Sequence, residues 1–181
     1  IGGPTVGIGG RGQSAAHWLS EDVLALPVAT LGGRDLADLT FRLHTAAEGG
    51  ISLDGTTPVL PEGAEELELV AEGTGLPEDL AERFPHLAGH VVLRLQDADR
   101  ADVEAALTGQ LVVSATDADG ALAVFTGVQI PGVVDALFAE GAAERELGVT
   151  WDARKRPTVA LWAPTAKDVD LLVWPDGRAL D

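Results

Sequence analysis

Alternating apolar and polar residues predict a chain built mainly of short β-strands. Thr40 to Thr45 alternates most regularly and places Phe41 and Leu43 on one face of a strand. A hairpin is indicated where two apolar runs flank Asp117-Ala-Asp-Gly120, because glycine suits the tightest position of such a turn. The other runs of strand character are Ala15–Trp18, Val23–Leu26, Leu67–Val70, Val91–Leu95, Leu111–Ala115 and Leu122–Phe125.

Helix signals occur in separate segments between these runs. Pro77–Arg83 begins with proline followed by acidic residues, which suits the first turn of a helix. Asp97 or Asp99 can cap a second helix over Arg100–Thr108, whose apolar residues share one side. Gly132–Ala143 follows a proline and presents apolar residues at helical spacing, so it is the third predicted helix.

The last part of the chain predicts two further strands. Val159–Trp162 has two faces and is ended by Pro164, which lacks a backbone N–H for the ladder. Val169–Trp174 then restarts an apolar run. Two strands alone bury too little surface to be stable. We therefore expect either that apolar side chains such as Leu161 pack against the preceding domain, or that the chain contains part of a larger module.

Together the patterns predict a mainly β protein with a few short helices. An antiparallel β-sandwich-like domain is followed by an incomplete β-sandwich module. Residues 1–12 are predicted to be a Gly-rich linker, residues 13–146 the first domain and residues 147–181 the start of the module. No βαβ alternation is strong enough to predict a parallel sheet.

Charge and composition exclude several classes of function. The net charge of -17, from 29 acidic and 12 basic residues, leaves little basic surface for nucleic acid and disfavours anionic membranes. No apolar run reaches the ~18 residues of a membrane-spanning helix. The absence of cysteine excludes disulfides and thiolate metal sites. No cofactor and no tightly bound metal are expected.

Two motifs that resemble ligand sites have simpler interpretations. Residues Gly7–Gly12 spell a dinucleotide-binding fingerprint, but the preceding residues make a poor strand, so a linker is favoured. His86 and His90 have the spacing of metal ligands on a helix. Gly89 and the strand that follows make a continuous helix there improbable, so structural or surface histidines are favoured, as they are for His17 and His44.

The acidic clusters also have structural interpretations. Asp97, Asp99 and Asp102 lack the glycine and bidentate glutamate of a calcium loop, so a helix start with capping acids is favoured. Asp117 and Asp119 are turn formers. The glutamates around Leu67–Val70 are interpreted as a solvated face rather than as catalytic carboxylates; they are Glu62, Glu65, Glu66 and Glu68.

The four tryptophans are candidates for sugar contact, because an aromatic face can stack on a glucose ring. Tryptophan more often supplies core area. Trp18 and Trp162 lie inside alternating strands, and a core position is favoured for both. Trp151 and Trp174 lie near strand ends, where the two interpretations stay open.

Several of these segments, in this order, resemble the region before the catalytic barrel of bacterial pullulanases. Trp162-Ala-Pro-Thr-Ala166 is similar to the opening of a family 48 carbohydrate-binding module and is the most specific match. Ala16-His-Trp18, Phe84-Pro-His-Leu87 and Gln129-Ile-Pro-Gly-Val-Val-Asp135 resemble the β-domain that precedes this module. The resemblance covers nearly everything after residue 12.

The resemblance implies the non-catalytic N-terminal segment of a pullulanase-type α-1,6-glucosidase of glycoside hydrolase family 13. Its catalytic carboxylates are expected on a (β/α)₈ barrel farther along the polypeptide, so no catalytic, cofactor-binding or metal-binding residue is assigned. The implied partners are the catalytic domain of the same polypeptide and, at Trp151 and Trp174, an α-glucan. A self-sufficient glucan-binding module is the alternative. The resemblance favours a secreted or cell-surface location, although no signal peptide is visible.

Overall fold

The computed structural model describes residues 14–97 and 99–174 and the backbone of Gly7–Ile8. This part of the chain is mainly β with three short α-helices, as predicted. The rest of the predicted linker, residues 1–12, lies outside the described residues. The strands are β1 (Gly7–Ile8), β2 (Ala16–Trp18), β3 (Val23–Leu26), β4 (Thr40–Ala46), β5 (Ser52–Asp54), β6 (Thr57–Val59), β7 (Glu65–Thr74), β8 (Val91–Leu95), β9 (Gln110–Thr116), β10 (Leu122–Gln129), β11 (Gly148–Trp151) and β12 (Pro157–Ala160). The helices are α1 (Glu78–Arg83), α2 (Arg100–Ala106) and α3 (Pro131–Ala143).

The main sheet closes on itself. Its strands follow the order β10-β2-β3-β8-β7-β4-β9, and β9 pairs back with β10. These pairings are antiparallel except between β10 and β2, which run parallel; β1 also pairs parallel with β10. The two layers expected of a sandwich-like domain are thus opposite sides of one closed sheet, called the barrel below. Closure leaves few unpaired strand edges.

The barrel interior is filled by the apolar side chains that strand alternation predicts. Phe41 and Leu43 of β4 are both buried, and Phe41 lies between Leu69 of β7 and Ala115 of β9 in register. Trp18 of β2 is also fully buried. The largest of the other fully buried side chains are Leu19, Leu24, Leu26, Leu93, Val91, Val103, Val113, Val124 and Val133.

A second apolar cluster covers part of the outer face of the barrel. Ala46, Ile51 and Val112 are buried together there, close to the β5–β6 hairpin. The side chain of Gln110 fixes the loop that leads to this hairpin, because its Oε1 accepts from the Ile51 amide and its Nε2 donates to the Ile51 carbonyl, each at 2.9 Å. The end of β4 is therefore buried on both faces, which simple alternation does not predict.

The helices start within one residue of their predicted positions, and each packs on the barrel. Asp99 rather than Asp97 caps α2: its Oδ1 accepts from the Asp102 amide at 3.0 Å, and Asp102 Oδ2 accepts from the Asp99 amide at 3.1 Å. Helix α3 approaches β2 so closely that a Cβ at Gly132 would lie 2.9 Å from the Trp18 carbonyl oxygen. Among the described residues no helix is long and apolar enough to cross a membrane.

Residues 147–174, called the C-terminal segment, differ from the barrel. Strands β11 and β12 form a hairpin, but the predicted strand over 169–174 is wrong: those residues have no regular secondary structure. A strand needs a neighbour for its backbone groups, and no strand lies beside this run within the described part of the chain. The predicted boundary at 146/147 falls between α3 and β11 and stays a prediction.

The apolar side chains of the C-terminal segment are exposed. Their predicted packing against the first domain is wrong, because 67% of the Leu161 surface remains accessible and the others are similar. Within the described part of the chain the hairpin has two strands, and no second layer covers its apolar side chains there. The large exposed apolar residues are Leu147, Val149, Trp151, Val159, Leu161, Val169, Leu171, Leu172, Val173 and Trp174.

Candidate functional site

The two predicted glucan contacts both lie on the surface of the C-terminal segment. Trp151 ends β11 and is 65% exposed, and Trp174 is 42% exposed. The hairpin turn beside Trp151 is fixed by Asp152, whose Oδ1 accepts from the amides of Arg154 and Arg156 at 2.8 and 2.9 Å. No ring contact joins the two tryptophans, both of which are described. Each offers an accessible aromatic surface, and the structure does not combine them into one platform.

Trp162 belongs to the C-terminal segment and contacts helix α3. Its ring meets Phe138 of α3 edge to face, with centroids 6.3 Å apart and planes at 73°. The favoured core position is only half correct, because Trp162 is partly exposed while Trp18 is fully buried. Beside the Trp162 ring, an open pocket reaches Arg100 and Glu144. This aromatic residue therefore has polar neighbours and an accessible surface.

Lys167 forms a second connection to the barrel, which the sequence does not predict. Its Nζ donates to the Ala47 carbonyl and lies 3.0 Å from Glu48 Oε1, in the turn after β4. Lys167 and Ala47 are 120 positions apart in sequence, so no local sequence pattern could indicate this contact. Trp162 and Lys167 thus attach the second half of the C-terminal segment, whose apolar residues are otherwise exposed.

His44 is the buried histidine that sequence reasoning treated as a simple strand residue. Its Nε2 lies 2.7 Å from Ser114 Oγ on β9, and its Nδ1 lies 3.7 Å from Glu66 Oε1 on β7. Burial lowers the pKa of His44; Glu66 acts in the opposite direction, and Arg42 lowers it further. Serine, histidine and glutamate follow the order of an acyl-transfer triad. Because His44 and Ser114 are both buried, the arrangement links three strands and offers no access to a substrate.

The remaining histidines meet at another part of the barrel surface. The rings of His17 and His90 are 6.1 Å apart in an edge-to-face arrangement. Burial, followed by the charge of neighbouring histidines, lowers the pKa of both. His86, in the short turn after α1, is exposed. Among the described residues no group of three or more histidines and acids could hold a metal ion.

The acidic motifs have structural roles where the structure describes them. Asp99 and Asp102 cap α2, as predicted. Asp117 forms the β9–β10 turn, where its Oδ1 accepts from the amides of Asp119 and Ala121 at 3.1 and 2.8 Å. The glutamates near β7 are all exposed, as expected of a solvated face; these are Glu62, Glu65, Glu66 and Glu68.

Arg94 forms an ion cluster with two acidic side chains on the barrel surface. Its Nε donates to Glu72 Oε1 at 2.6 Å, and its NH1 pairs with Asp22. The hydrogen bond from Arg94 lowers the pKa of Glu72, and the pKa of Arg94 is raised in turn. All three side chains are partly or largely exposed, so the cluster ties β7 and β8 to the turn before β3 with modest effect.

Both the family match and the similar proteins relate this chain to pullulanases. Residues 13–136 match the family described as the Pullulanase N2 domain. The chain is 32% identical over 166 residues to a pullulanase of Klebsiella pneumoniae and 30% identical over 165 residues to the chloroplastic pullulanase 1 of Arabidopsis thaliana. These alignments cover 91% and 89% of the chain but only 14% and 15% of the relatives' length.

Solved structures of pullulanases also match this chain. A Klebsiella oxytoca structure matches with a TM-score of 0.69 and 30% identity over 86% of this chain and 13% of that chain. The pullulanase of Klebsiella pneumoniae complexed with maltotriose matches with a TM-score of 0.69 and 28% identity, over the same shares of the two chains. Similarity in fold and sequence therefore extends over most of the chain, including part of the C-terminal segment.

Proposed function

Because this chain belongs to the Pullulanase N2 domain family, we propose that it is the non-catalytic N-terminal segment of a pullulanase-type debranching enzyme. The complete enzyme would hydrolyse α-1,6 linkages in pullulan or starch-type glucans. The observation that carries the proposal is the continuous similarity to pullulanases, at 32% identity over 91% of the chain. The chain spans about a seventh of those relatives, so catalysis is assigned to the rest of the polypeptide.

The exposed apolar residues of the C-terminal segment support this role. Contiguous apolar surface is uncommon on a free-standing protein and marks a place where another part covers it. Val159 and Leu161 of the hairpin region are exposed, and so are Leu171 and Val173 farther along. We propose that residues 147–181 begin a family 48 carbohydrate-binding module, whose further strands cover these side chains. The barrel would then position that module and the catalytic domain.

A self-sufficient α-glucan-binding module is the second candidate. The observation that favours it is the exposure of Trp151 and Trp174, since accessible indole rings suit contact with the C–H faces of glucose. Under this alternative, the chain by itself would hold maltooligosaccharides tightly. Under the main proposal, the site is shared with strands outside this chain and binding by the chain alone is weak.

Activity measurements test the main proposal. The purified chain should release no reducing sugar from pullulan, whereas the complete polypeptide that carries it should produce maltotriose-sized fragments. A complete polypeptide in which residues 13–181 are deleted should lose stability or activity through loss of domain positioning. Turnover by the isolated chain, or a complete polypeptide inert on every α-1,6-linked glucan, would contradict the proposal.

Calorimetry with maltooligosaccharides separates the two candidates. A micromolar dissociation constant for the isolated chain, abolished by Trp151→Ala or Trp174→Ala, favours the self-sufficient module. Millimolar or weaker binding that these two substitutions leave unchanged favours the main proposal.

A further inference from the structure

The connection between β7 and β8 folds back over the outer face of the barrel. This connection, residues 75–90 and called the flap below, contains α1. Two backbone hydrogen bonds close its base, because the Gly75 amide donates to the His90 carbonyl at 2.9 Å and the Leu76 amide donates to the Ala88 carbonyl at 3.1 Å. The flap therefore leaves and rejoins the sheet at one place, as a compact surface loop does.

The inner side of the flap is apolar. Its Leu80 and Leu87 are both buried. They form a cluster with side chains of β3, of β8 and of the residue after β2, which are Val23, Ala25, Val92 and Leu19. This cluster is separate from the one that fills the barrel interior. Opening of the flap would therefore expose an apolar surface and leave the barrel core intact.

Two histidines lie at the edge of this apolar cluster. His17 of β2 is opposite Ala25 in register, and Ala25 is opposite Val92 of β8. His90 ends the flap just before β8, and its ring lies 6.1 Å from the ring of His17. Both side chains are partly buried, whereas His86 within the flap is exposed.

The surroundings of His17 fit the neutral imidazole. Gln129 Nε2 donates to the Ser14 carbonyl at 2.7 Å and lies 3.4 Å from His17 Nε2. An amide nitrogen only donates, so His17 Nε2 is the acceptor in this contact. A proton on His17 Nε2 would place two donors against each other with no acceptor between them.

No acidic side chain compensates for a positive charge on either ring. Among the described residues no carboxylate lies within ion-pair distance of His17 or His90, whereas His44 has Glu66 at 3.7 Å. Burial, followed by the charges of His90 and His86, lowers the pKa of His17. Burial and then His86 lower the pKa of His90, and a hydrogen bond with the flap backbone acts in the opposite direction.

The other elements around the two histidines do not supply an opposite charge either. On the neighbouring strands, the residues paired with His17 are the neutral Ala25 of β3 and Gln129 of β10. The charged side chains of α1 are exposed, and none of them is among the groups that shift the pKa of His17 or His90. These side chains are Glu78, Asp79, Glu82 and Arg83.

We propose that the flap is an acid-sensitive switch, which opens when His17 and His90 take up protons. Two positive charges on adjacent rings repel each other, and opening lets water solvate both. Because the pKa of each histidine is lowered in the closed state, the open state binds protons more readily. The closed flap is therefore most stable above the exposed histidine pKa of about 6.5, and it loses stability as pH falls below that value.

Amide hydrogen exchange of the 181-residue chain tests the proposal. NMR at pH 7.5 and 5.5, corrected for the intrinsic exchange rate, gives the equilibrium constant for opening at each pH. The amides of Leu76, Phe84 and Leu87 are hydrogen-bonded within the flap and report its opening. That constant should rise by at least about tenfold on acidification, and about a hundredfold is the limit for two histidines. The amides of β4 and β9 report unfolding of the barrel and should stay better protected at both pH values.

Glutamine substitutions assign the effect to the two rings. His17→Gln and His90→Gln should each remove about half of the rise on a logarithmic scale, and the double variant should remove nearly all of it. His86→Gln should reduce the rise less, because His86 is exposed. His44→Gln is the matched control, since it removes a buried histidine outside the flap and should leave the rise unchanged.

Four results would overturn the proposal. The flap amides could be equally protected at both pH values, or unprotected already at pH 7.5. They could exchange only together with the barrel amides, which would show that the flap does not open separately. The rise could also persist in the double variant, which would assign it to other groups. The barrel amides of each variant report whether its fold is intact, so a loss of structure is distinguished from a change in the flap.

Discussion

The barrel and the C-terminal segment use the same kinds of residue in opposite ways. In the barrel, strand alternation directs apolar side chains inward, and Leu43 is fully buried. In the C-terminal segment, a similar alternation around Leu161 leaves that side chain 67% exposed. The difference lies in the number of neighbouring strands. The barrel strands close into a ring, whereas β11 and β12 pair with each other and with no other strand among the described residues.

This comparison shows that alternating apolar residues determine which face of a strand is apolar. Whether that face is buried depends on a second layer of structure that packs on it. Burial stabilises only where a second layer is present. The C-terminal segment nevertheless contacts the barrel region at two points. Trp162 packs against Phe138 of α3, and Lys167 pairs with Glu48 in the turn after β4. Its apolar residues therefore remain exposed although the segment contacts the barrel at these two points.

The largest effect is expected from matched leucine truncations in the two regions. Leu43→Ala should lower the free energy of unfolding by about 2–5 kcal/mol, because it leaves a cavity in a closed core. Leu161→Ala should change it by less than about 0.5 kcal/mol, since an exposed side chain loses few contacts. Urea denaturation of both variants measures the difference. A large loss from Leu161→Ala in a monomer would show that the segment packs more tightly than its exposure indicates.

Two glycines of α3 make a second matched pair. Gly132→Ala should destabilise by about 1–3 kcal/mol, because the new Cβ would overpack against β2. Gly141→Ala, near the C-terminal segment, should stabilise by up to about 1 kcal/mol, since it improves helix propensity and only touches Trp162. Thermal and urea unfolding report both changes. Equal effects of the two substitutions would mean that the close contact at Gly132 relaxes without cost.

The sequence predicts the barrel better than the C-terminal segment for a physical reason. Phe41 and Leu43 alternate along β4, and each inward side chain meets a partner that the closed sheet supplies. Asp99 caps α2 through contacts only three residues away, which local sequence encodes. The run Val169–Trp174 has equal strand character but finds no neighbouring strand, so the predicted strand is absent.

The candidate site is less predictable because its contacts are distant in sequence. Exposure of Trp151 and Trp174 agrees with their positions near predicted strand ends. The pocket beside Trp162 requires Arg100 from α2, Phe138 from α3 and a residue of the C-terminal segment together. Helical spacing brings Glu140 and Glu144 to one side of α3, but nothing in the sequence indicates that Trp162 lies opposite them.

Acidification should affect the barrel and not the C-terminal segment. The pKa values of His17, His44 and His90 are all lowered in the fold, chiefly by burial, and the C-terminal segment contains no histidine. The unfolded chain therefore binds protons more readily than the folded one. The stability that these neutral histidines contribute is complete above the unfolded pKa of about 6.5 and is lost as pH falls through their lowered folded values.

Urea unfolding between pH 7.5 and 5.5 measures this loss before most carboxylates titrate. His44→Gln should flatten the dependence most, because His44 is the most buried of the three histidines. His86→Gln is the comparison variant and should flatten the dependence less, because the charge of His86 contributes less than burial does to the lowered pKa values of His17 and His90. Stability that is constant over this range in the unmodified chain would contradict the prediction.

The smallest effect is expected from breaking the Lys167 contact that attaches the C-terminal segment. An exposed ion pair contributes about 0–1 kcal/mol, so Lys167→Ala should leave the global unfolding free energy nearly unchanged. The substitution should instead speed amide hydrogen exchange after Trp162, because the chain there then opens without unfolding the barrel. Lys155→Ala removes the same charge from the β11–β12 turn and should leave that exchange as it was. If both variants exchange at the same rate, charge loss rather than the contact with Ala47 and Glu48 governs the segment. If neither differs from the unmodified chain, Trp162 alone holds it, and the exposed apolar residues keep their positions without Lys167.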